Sequence, residues 1–114
     1  MASQQHVRSA LILALQTFCQ EEMGMQPRRV KVNLGHDAIM VLLEQALSPA
    51  EMQTAQSKEG AALLKAYEER LLDAARPRLQ MLVEEAVKRQ VTSTHVHADV
   101  YTGNVIGFFV LAEE

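Results

Sequence analysis

Hydrophobic residues recur at helical spacing near the start of the chain. They are Val7, Leu11, Ala14, Leu15 and Phe18, and each of them has another member of the set three or four residues away. This spacing puts them on one side of a helix, so it predicts an amphipathic helix over residues 4 to about 23. Gly24 and Pro27, in the sequence GMQP, predict the end of that helix.

Two strands joined by a short turn are predicted next. In the segment RRVKVNL polar and apolar residues alternate, which puts Arg29, Lys31 and Asn33 on one side of a strand and Val30, Val32 and Leu34 on the other. The following run, Ala38–Glu44, is apolar on both sides, and because Asp37 could cap a helix it fits either a helix or a buried strand. A turn at Gly35–Asp37 suits a hairpin, so we predict a strand at Ala38–Glu44.

A capping box predicts the start of the next helix. In LSPAEM, Ser48 can accept a hydrogen bond from a free amide, Pro49 can occupy the first helical position, and Glu51 can bond back to Ser48. The sequence SKEG at residues 57–60 predicts a break. A second helix then presents one apolar stripe, made of Leu64, Tyr67, Leu71, Ala75, Leu79, Leu82, Val83 and Ala86.

This second helix is long for a chain of this size. From Lys58 to Gln90 it would extend roughly 50 Å at the usual rise per residue, whereas a compact domain of this length is about 35 Å across. We therefore predict that the helix either bends at Pro77 or extends beyond the rest of the domain. A projecting end would offer surface to a partner.

The C-terminal segments predict a second hairpin. VTSTHVHADVY alternates, TGN at residues 102–104 is a turn, and the run Val105–Leu111 is apolar on both faces. Strands that are apolar on both faces belong in the middle of a sheet, so Ala38–Glu44 and Val105–Leu111 are predicted to be central. The predicted fold class is α+β, ordered helix-hairpin-helix(es)-hairpin, with a four-stranded sheet and helices on one face. A second copy covering the other face would give a homodimer.

Composition limits the classes of function. The length of 114 residues and the 48% hydrophobic content fit one globular domain over residues 1–114. A net charge of −3 and an aromatic content of 4% give no support for nucleic-acid binding. The apolar run ALILAL is too short to span a membrane, and the single cysteine, Cys19, fits a reducing compartment. We therefore expect a cytoplasmic protein that does not insert into the membrane.

Three polar residues on one predicted strand form a candidate site. His95, His97 and Asp99 are two positions apart, so their side chains point from one face. Two histidines at this spacing can begin a metal site, but a third ligand must come from elsewhere, with His6 and His36 as candidates. The alternatives are a patch that contacts a partner or titrates near neutral pH, and a solvated edge strand. We favour the solvated edge.

Charged residues of the first hairpin form a second candidate set. Arg29 and Lys31 lie on the polar side of their strand, and Glu44 ends an apolar strand where a charge is unexpected. A small-molecule or anion sensor could use Arg29, Lys31, His95 and His97 if both edges face the same way. The sequence shows no phosphate-binding loop, serine elbow, paired-cysteine zinc pattern or HExxH motif, so we expect neither an enzyme nor a cofactor.

Features along nearly the whole chain share one resemblance. They are Gly24 and Pro27 before an alternating strand, the element Leu47–Glu51, Gly60, and Asp99 before the closing strand Val105–Leu111. In this combination the chain resembles the MpsC family, named for a component of a sodium-translocating, membrane-potential-generating system. The resemblance implies a soluble accessory or regulatory module that docks to a membrane transport protein subunit. Family members often carry a Gly between the long helix and the third strand, where this chain has KRQV.

Overall fold

The computed structural model describes residues 3–113, and the predicted domain bounds of 1–114 include three terminal residues that lie outside this range. The helices are α1 (Gln4–Phe18), α2 (Pro49–Thr54) and α3 (Lys58–Val87). The strands are β1 (Arg29–Leu34), β2 (Ala38–Glu44), β3 (Val91–Asp99) and β4 (Asn104–Leu111). The described strands form a four-stranded antiparallel sheet, which confirms the predicted α+β class.

The first helix begins at a side-chain cap and ends in a wider turn. Ser3 caps α1 by accepting a hydrogen bond from the backbone N–H of His6 at 3.1 Å. After Phe18 the chain continues as a π-helical turn, Cys19–Met23, and Gly24 ends it in a left-handed conformation at φ 64°. The prediction of one regular helix to about residue 23 therefore fails in its last turn. The spacing of side chains does not distinguish α from π hydrogen bonding over so short a segment.

The predicted capping box is present at the start of α2. Ser48 Oγ accepts a hydrogen bond from the backbone N–H of Glu51 at 3.1 Å, and Glu51 Oε1 accepts one from that of Ser48 at 2.8 Å. The predicted break is also present, since α3 has its own cap, in which Ser57 accepts from the N–H of Gly60 at 3.0 Å. A Cβ atom at Gly60 would lie 1.9 Å from the carbonyl oxygen of Thr54, so the approach of α2 to α3 requires glycine there.

α3 is one continuous helix of 30 residues that includes Pro77. Its length is about 45 Å at the usual rise, and the longest dimension of the described chain is 49 Å, against 24 and 21 Å for the others. The helix therefore sets the long axis of the molecule. It ends at Val87, before the predicted Gln90, because Lys88 turns the backbone into the left-handed region at φ 59° and ψ 36°.

The strands are ordered β1-β2-β4-β3 across the sheet. This order confirms the predicted central position of β2 and β4, which are apolar on both faces. β3 ends at Asp99 and not at Tyr101, because residues 100–103 form the turn, in which the N–H of Gly103 donates to the carbonyl oxygen of Asp99 at 2.8 Å. One shift in register, between Val91 and Ser93, interrupts the pairing of β3 with β4.

The hydrophobic core lies between the helices and one face of the sheet. Alternate residues of the strands supply the sheet side of the core, among them Val30, Ile39, Val105 and Phe109. Because these alternate residues are buried, their neighbours in each strand point to the second face, away from the helices.

The core stripe of α3 differs from the predicted one at Tyr67. This residue is 58% exposed, whereas its neighbour Glu68 is 0% exposed. The buried residues of this half of α3 are spaced three or four apart, at Ala61, Leu64, Glu68, Leu72 and Ala75. We predicted that Tyr67 faces the core, but the core-facing position is the one four residues after Leu64, and the residue there is Glu68.

Candidate interaction surface

The second face of the sheet carries rows of side chains that cross all four strands. One row consists of Lys31, Leu42, Ile106 and His97, and the next of Asn33, Met40, Phe108 and His95. Residues that are directly paired in an antiparallel sheet point to the same face, so each row lies on one side. In both rows polar residues stand at the two edges and apolar residues in the middle. We call this side of the sheet the open face.

The centre of the open face is apolar and exposed to solvent in the part of the chain that the structure describes. Met40 is 50% exposed, Ile106 41% and Phe108 37%. We use the term apolar strip for these three residues and their half-buried neighbours Ala38, Leu42 and Val110. A contiguous exposed apolar surface often marks an interaction site.

A group of charges bounds the open face along β1. Lys31 Nζ lies 2.9 Å from Glu44 Oε1, and Arg29 Nε lies 3.8 Å from Glu44 Oε2. The hydrogen bond from Lys31 is the main cause that holds the pKa of Glu44 below its ordinary value, and the charges of Lys31, Arg29 and Arg28 act in the same direction. Glu44 is thus the counter-ion of two cations, and this edge keeps an excess of positive charge.

Along β3 the open face is bounded by His95, His97 and Asp99, all on one face as their spacing predicted. The ring of His95 lies 6.4 Å from that of Phe108, centroid to centroid. Asp99 accepts a hydrogen bond from the backbone N–H of Tyr101 at 3.0 Å, and this bond is the main cause that lowers the pKa of Asp99. The carboxylate is therefore ionised at neutral pH and gives this edge a negative charge.

The two edges share a face but are not one site. Lys31 and His97 stand at opposite ends of their row, with Leu42 and Ile106 between them. Three strand spacings of about 4.8 Å place the edges roughly 14 Å apart. Arg29, Lys31, His95 and His97 therefore do not form the joint anion site that the sequence allowed.

The histidines of β3 do not gain a third ligand from the described chain. Residues 3–113 contain no group of three or more His, Cys, Asp or Glu side chains placed to hold a metal ion. His6 lies on α1, which packs on the core side of the sheet, and His36 lies in the β1–β2 turn, 3.8 Å from the carboxylate of Asp37. Chemically, His95 and His97 offer two imidazoles at an edge that can form hydrogen bonds.

A buried carboxyl pair joins α2 to α3, and sequence reasoning missed it. Glu68 is fully buried, and neither of its carboxyl oxygens accepts a hydrogen bond from a donor group of residues 3–113. Burial and then the adjacent Glu51 raise the pKa of Glu68 to about 8, so it carries a proton at neutral pH. Burial opposes ionisation of Glu51 too, but hydrogen bonds from Glu68 and Ser48 bring the pKa of Glu51 below its ordinary value. The spacing from Leu64 to Leu72 was the signal that could have identified Glu68.

A cavity in the core is too small to be a ligand site. Its volume is about 20 Å³, and its lining includes Leu15, Phe18, Val41 and Phe109. A space of this size holds one water molecule at most, and an apolar lining keeps it dry. The open face is therefore a stronger candidate surface than this cavity.

The fold and the surface define an α+β protein with one helical layer, one antiparallel sheet and an open apolar face. A family model described as "Na+-translocating membrane potential-generating system (MpsC)" matches residues 3–113, and the chain belongs to this family. No curated protein and no solved structure matches the chain. Within residues 3–113, no helix has both the length and the apolar character needed to cross a membrane.

Proposed function

We propose that this chain is a non-enzymatic accessory or regulatory module of a sodium-translocating, membrane-potential-generating system, and that it acts through protein contacts as a homodimer. The observation that carries the proposal is the open face, with its exposed apolar strip and a charged group at each edge. Covering such a surface with another protein removes apolar area from water and is favourable. The description of the family names the membrane-potential-generating system to which the module would belong.

In this proposal the chain works at the cytoplasmic side of the membrane. It attaches through a membrane transport protein subunit and not through a segment of its own, and residues 1–114 act as one domain. Charged residues at the rim of an interface set orientation and partner choice more than affinity. We assign this role, rather than a catalytic or cofactor-binding one, to Arg29, Lys31, Glu44, His95, His97 and Asp99.

Gene deletion tests the role in the membrane system. The gene is deleted in its host, and the potential that follows addition of sodium is measured with a voltage-sensitive cationic dye. We expect a smaller sodium-dependent potential, which the wild-type gene restores and a gene encoding Ile106→Lys does not, because that variant puts a charge in the apolar strip. Leu13→Lys, at an exposed position of α1, is the matched control and should restore it. An unchanged potential in the deletion strain would contradict the proposal.

Native mass spectrometry of untagged protein tests the assembly and any bound ion together. We expect the mass of two chains with nothing added. The mass of a single chain at micromolar concentration would contradict the homodimer. Added metal that disappears in the double substitution His95→Ala with His97→Ala would assign these histidines to a metal site instead of a protein contact.

A further inference from the structure

We infer that two copies of this chain bring their open faces together about a two-fold axis that runs along the strands, so that Arg29 of one protomer meets the partner's Asp99. The inference rests on the homodimer of the proposed function and adds its geometry. The order of the strands, the position of the apolar strip and the charges at the two edges support this arrangement.

The geometry of two stacked sheets leaves two main arrangements. A two-fold axis that relates sheets packed face to face must lie in the plane between them. If the axis runs along the strands, β1 of each protomer lies over β3 of its partner. If the axis runs across the strands, β1 lies over the partner's β1 and β3 over the partner's β3. A small tilt of either axis gives the crossing angle of about 30° that is usual for stacked sheets.

The charges of the edges favour the axis along the strands. At the β1 edge two cations, Arg29 and Lys31, share the single carboxylate of Glu44. At the β3 edge Asp99 is ionised and takes part in none of the salt bridges of residues 3–113. An axis along the strands therefore lays the cationic edge of each protomer over the anionic edge of its partner, whereas an axis across them lays each edge over its own copy with the ends reversed.

The two residues also lie at the same end of the sheet. Arg29 is paired with Glu44, and Asp99 with Asn104. The backbone N–H of Gln45 donates to the side-chain oxygen of Asn104 at 3.0 Å, which ties the ends of β2 and β4 together. An axis along the strands keeps equal ends together, so Arg29 stands opposite the partner's Asp99. Stacked sheets lie about 10 Å apart, a distance that an extended arginine and an aspartate largely span.

The same axis also covers the apolar strip. The strip lies on the two central strands, so a central axis along them puts Leu42 over the partner's Ile106 and Met40 over the partner's Phe108. A face of four strands and about six residues measures roughly 19 by 20 Å, or roughly 400 Å² per protomer in projection. This area is at the low end for specific interfaces, so the charges at the two edges matter for holding the pair in register.

Cysteine cross-linking distinguishes the two axes in the full chain. Lys31→Cys and His97→Cys are made separately, and Cys19 is kept because it is buried. With a short bismaleimide, we expect a covalent dimer from the mixture of the two variants and little from either alone, because identical residues would lie at opposite edges. A mixture of Glu59→Cys with His97→Cys is the control and should not cross-link, since Glu59 lies on α3, away from the open face.

The outcomes separate this inference from the function on which it rests. A covalent dimer of Lys31→Cys with itself would overturn the axis along the strands and leave the homodimer standing. A protein with the mass of two chains that cross-links in no mixture would place the interface elsewhere and overturn the inference. A protein with the mass of one chain would overturn both the geometry and the homodimer.

Discussion

The carboxyl group of Glu68 on α3 lies against the carboxyl group of Glu51 on α2. Two ionised carboxylates are both acceptors, so they form a hydrogen bond only when one of them keeps a proton. Glu68 is the one that keeps it, because its side chain is fully buried whereas that of Glu51 is half-buried and bonded to Ser48. A proton is thus part of the contact between the two helices at neutral pH.

The first prediction concerns the dependence of stability on pH. Glu68 has an ordinary pKa of 4.5 and a folded-state pKa of about 8. Between these values the folded state holds a proton that the unfolded state has lost. The free energy of unfolding should therefore fall as pH rises, by up to about 1.4 kcal/mol per pH unit from this group. Below this window both states are protonated, and above it both are ionised, so the dependence levels off at each end.

Urea unfolding of two adjacent variants checks this prediction. Glu68→Gln keeps the shape of the side chain and removes its titration, so its stability should lose this slope between about pH 5 and about pH 8. Glu69→Gln changes the neighbouring, exposed glutamate and should keep the slope of the wild type. Equal slopes in Glu68→Gln and the wild type would show that Glu68 is ionised in the folded state.

The second prediction concerns the apolar strip. Ile106→Lys should weaken self-association more than tenfold, a loss of more than about 1.4 kcal/mol, because it buries a charge in the centre of the contact. Its effect on the free energy of unfolding of the monomer should be small, since Ile106 is partly exposed. Sedimentation over a range of concentrations measures the association, with Leu13→Lys as the control. Equal sedimentation of both variants and the wild type would exclude the open face as the contact.

The third prediction concerns the end of α3. Lys88 has φ 59° and ψ 36°, a left-handed conformation that costs a non-glycine residue about 1 kcal/mol. Lys88→Gly should therefore leave the stability unchanged or raise it by up to about 1 kcal/mol, because the relief of strain exceeds or balances the greater freedom of glycine in the unfolded chain. Chemical denaturation measures the change.

Gly24 supplies the reverse test. It has nearly the same backbone conformation, at φ 64° and ψ 25°, and a Cβ atom there would meet nothing within 4 Å. Gly24→Ala should therefore lower the stability by about 1 kcal/mol through backbone strain alone. If Lys88→Gly instead lowers the free energy of unfolding by more than about 1 kcal/mol, the lysine side chain makes a contact that outweighs the strain.

The fourth prediction concerns the close approach of α2 to α3. Gly60→Ala should lower the free energy of unfolding by about 1–3 kcal/mol, because the new methyl group would overlap the carbonyl group of Thr54 and force the helices apart. Glu59→Ala, at the exposed neighbouring position, is the control and should change it by less than about 0.5 kcal/mol. Comparable stability of Gly60→Ala and the wild type would show that α2 can shift at little cost.

Local patterns predicted the elements and the centre of the sheet. The alternation around Val30 and Val32, the capping box of Ser48 and Glu51, and the break before Gly60 each depend on residues that are close in sequence. The central position of β2 and β4 also followed from the sequence, because a strand that is apolar on both faces must be covered on both.

The features that the sequence did not predict depend on contacts distant in sequence or on backbone conformation. Tyr67 and Glu68 differ in exposure because α2 lies against one side of α3, and composition alone favoured burying the aromatic residue. The gap between Lys31 and His97 follows from the order of the strands, which inserts β2 and β4 between them. The π-helical turn and the conformation of Lys88 are backbone features that side-chain spacing does not encode.

The exposed apolar strip also bears on the lifetime of the chain inside a cell. A single chain displays Met40, Ile106 and Phe108 to solvent, and exposed apolar surface of this kind promotes aggregation and makes chaperones necessary. In the proposed homodimer pairing would hide this surface, and the paired fraction would rise with concentration. Chains present at too low a concentration to pair would therefore be the ones removed by quality control, and the abundance of the protein would fall more steeply than its rate of synthesis.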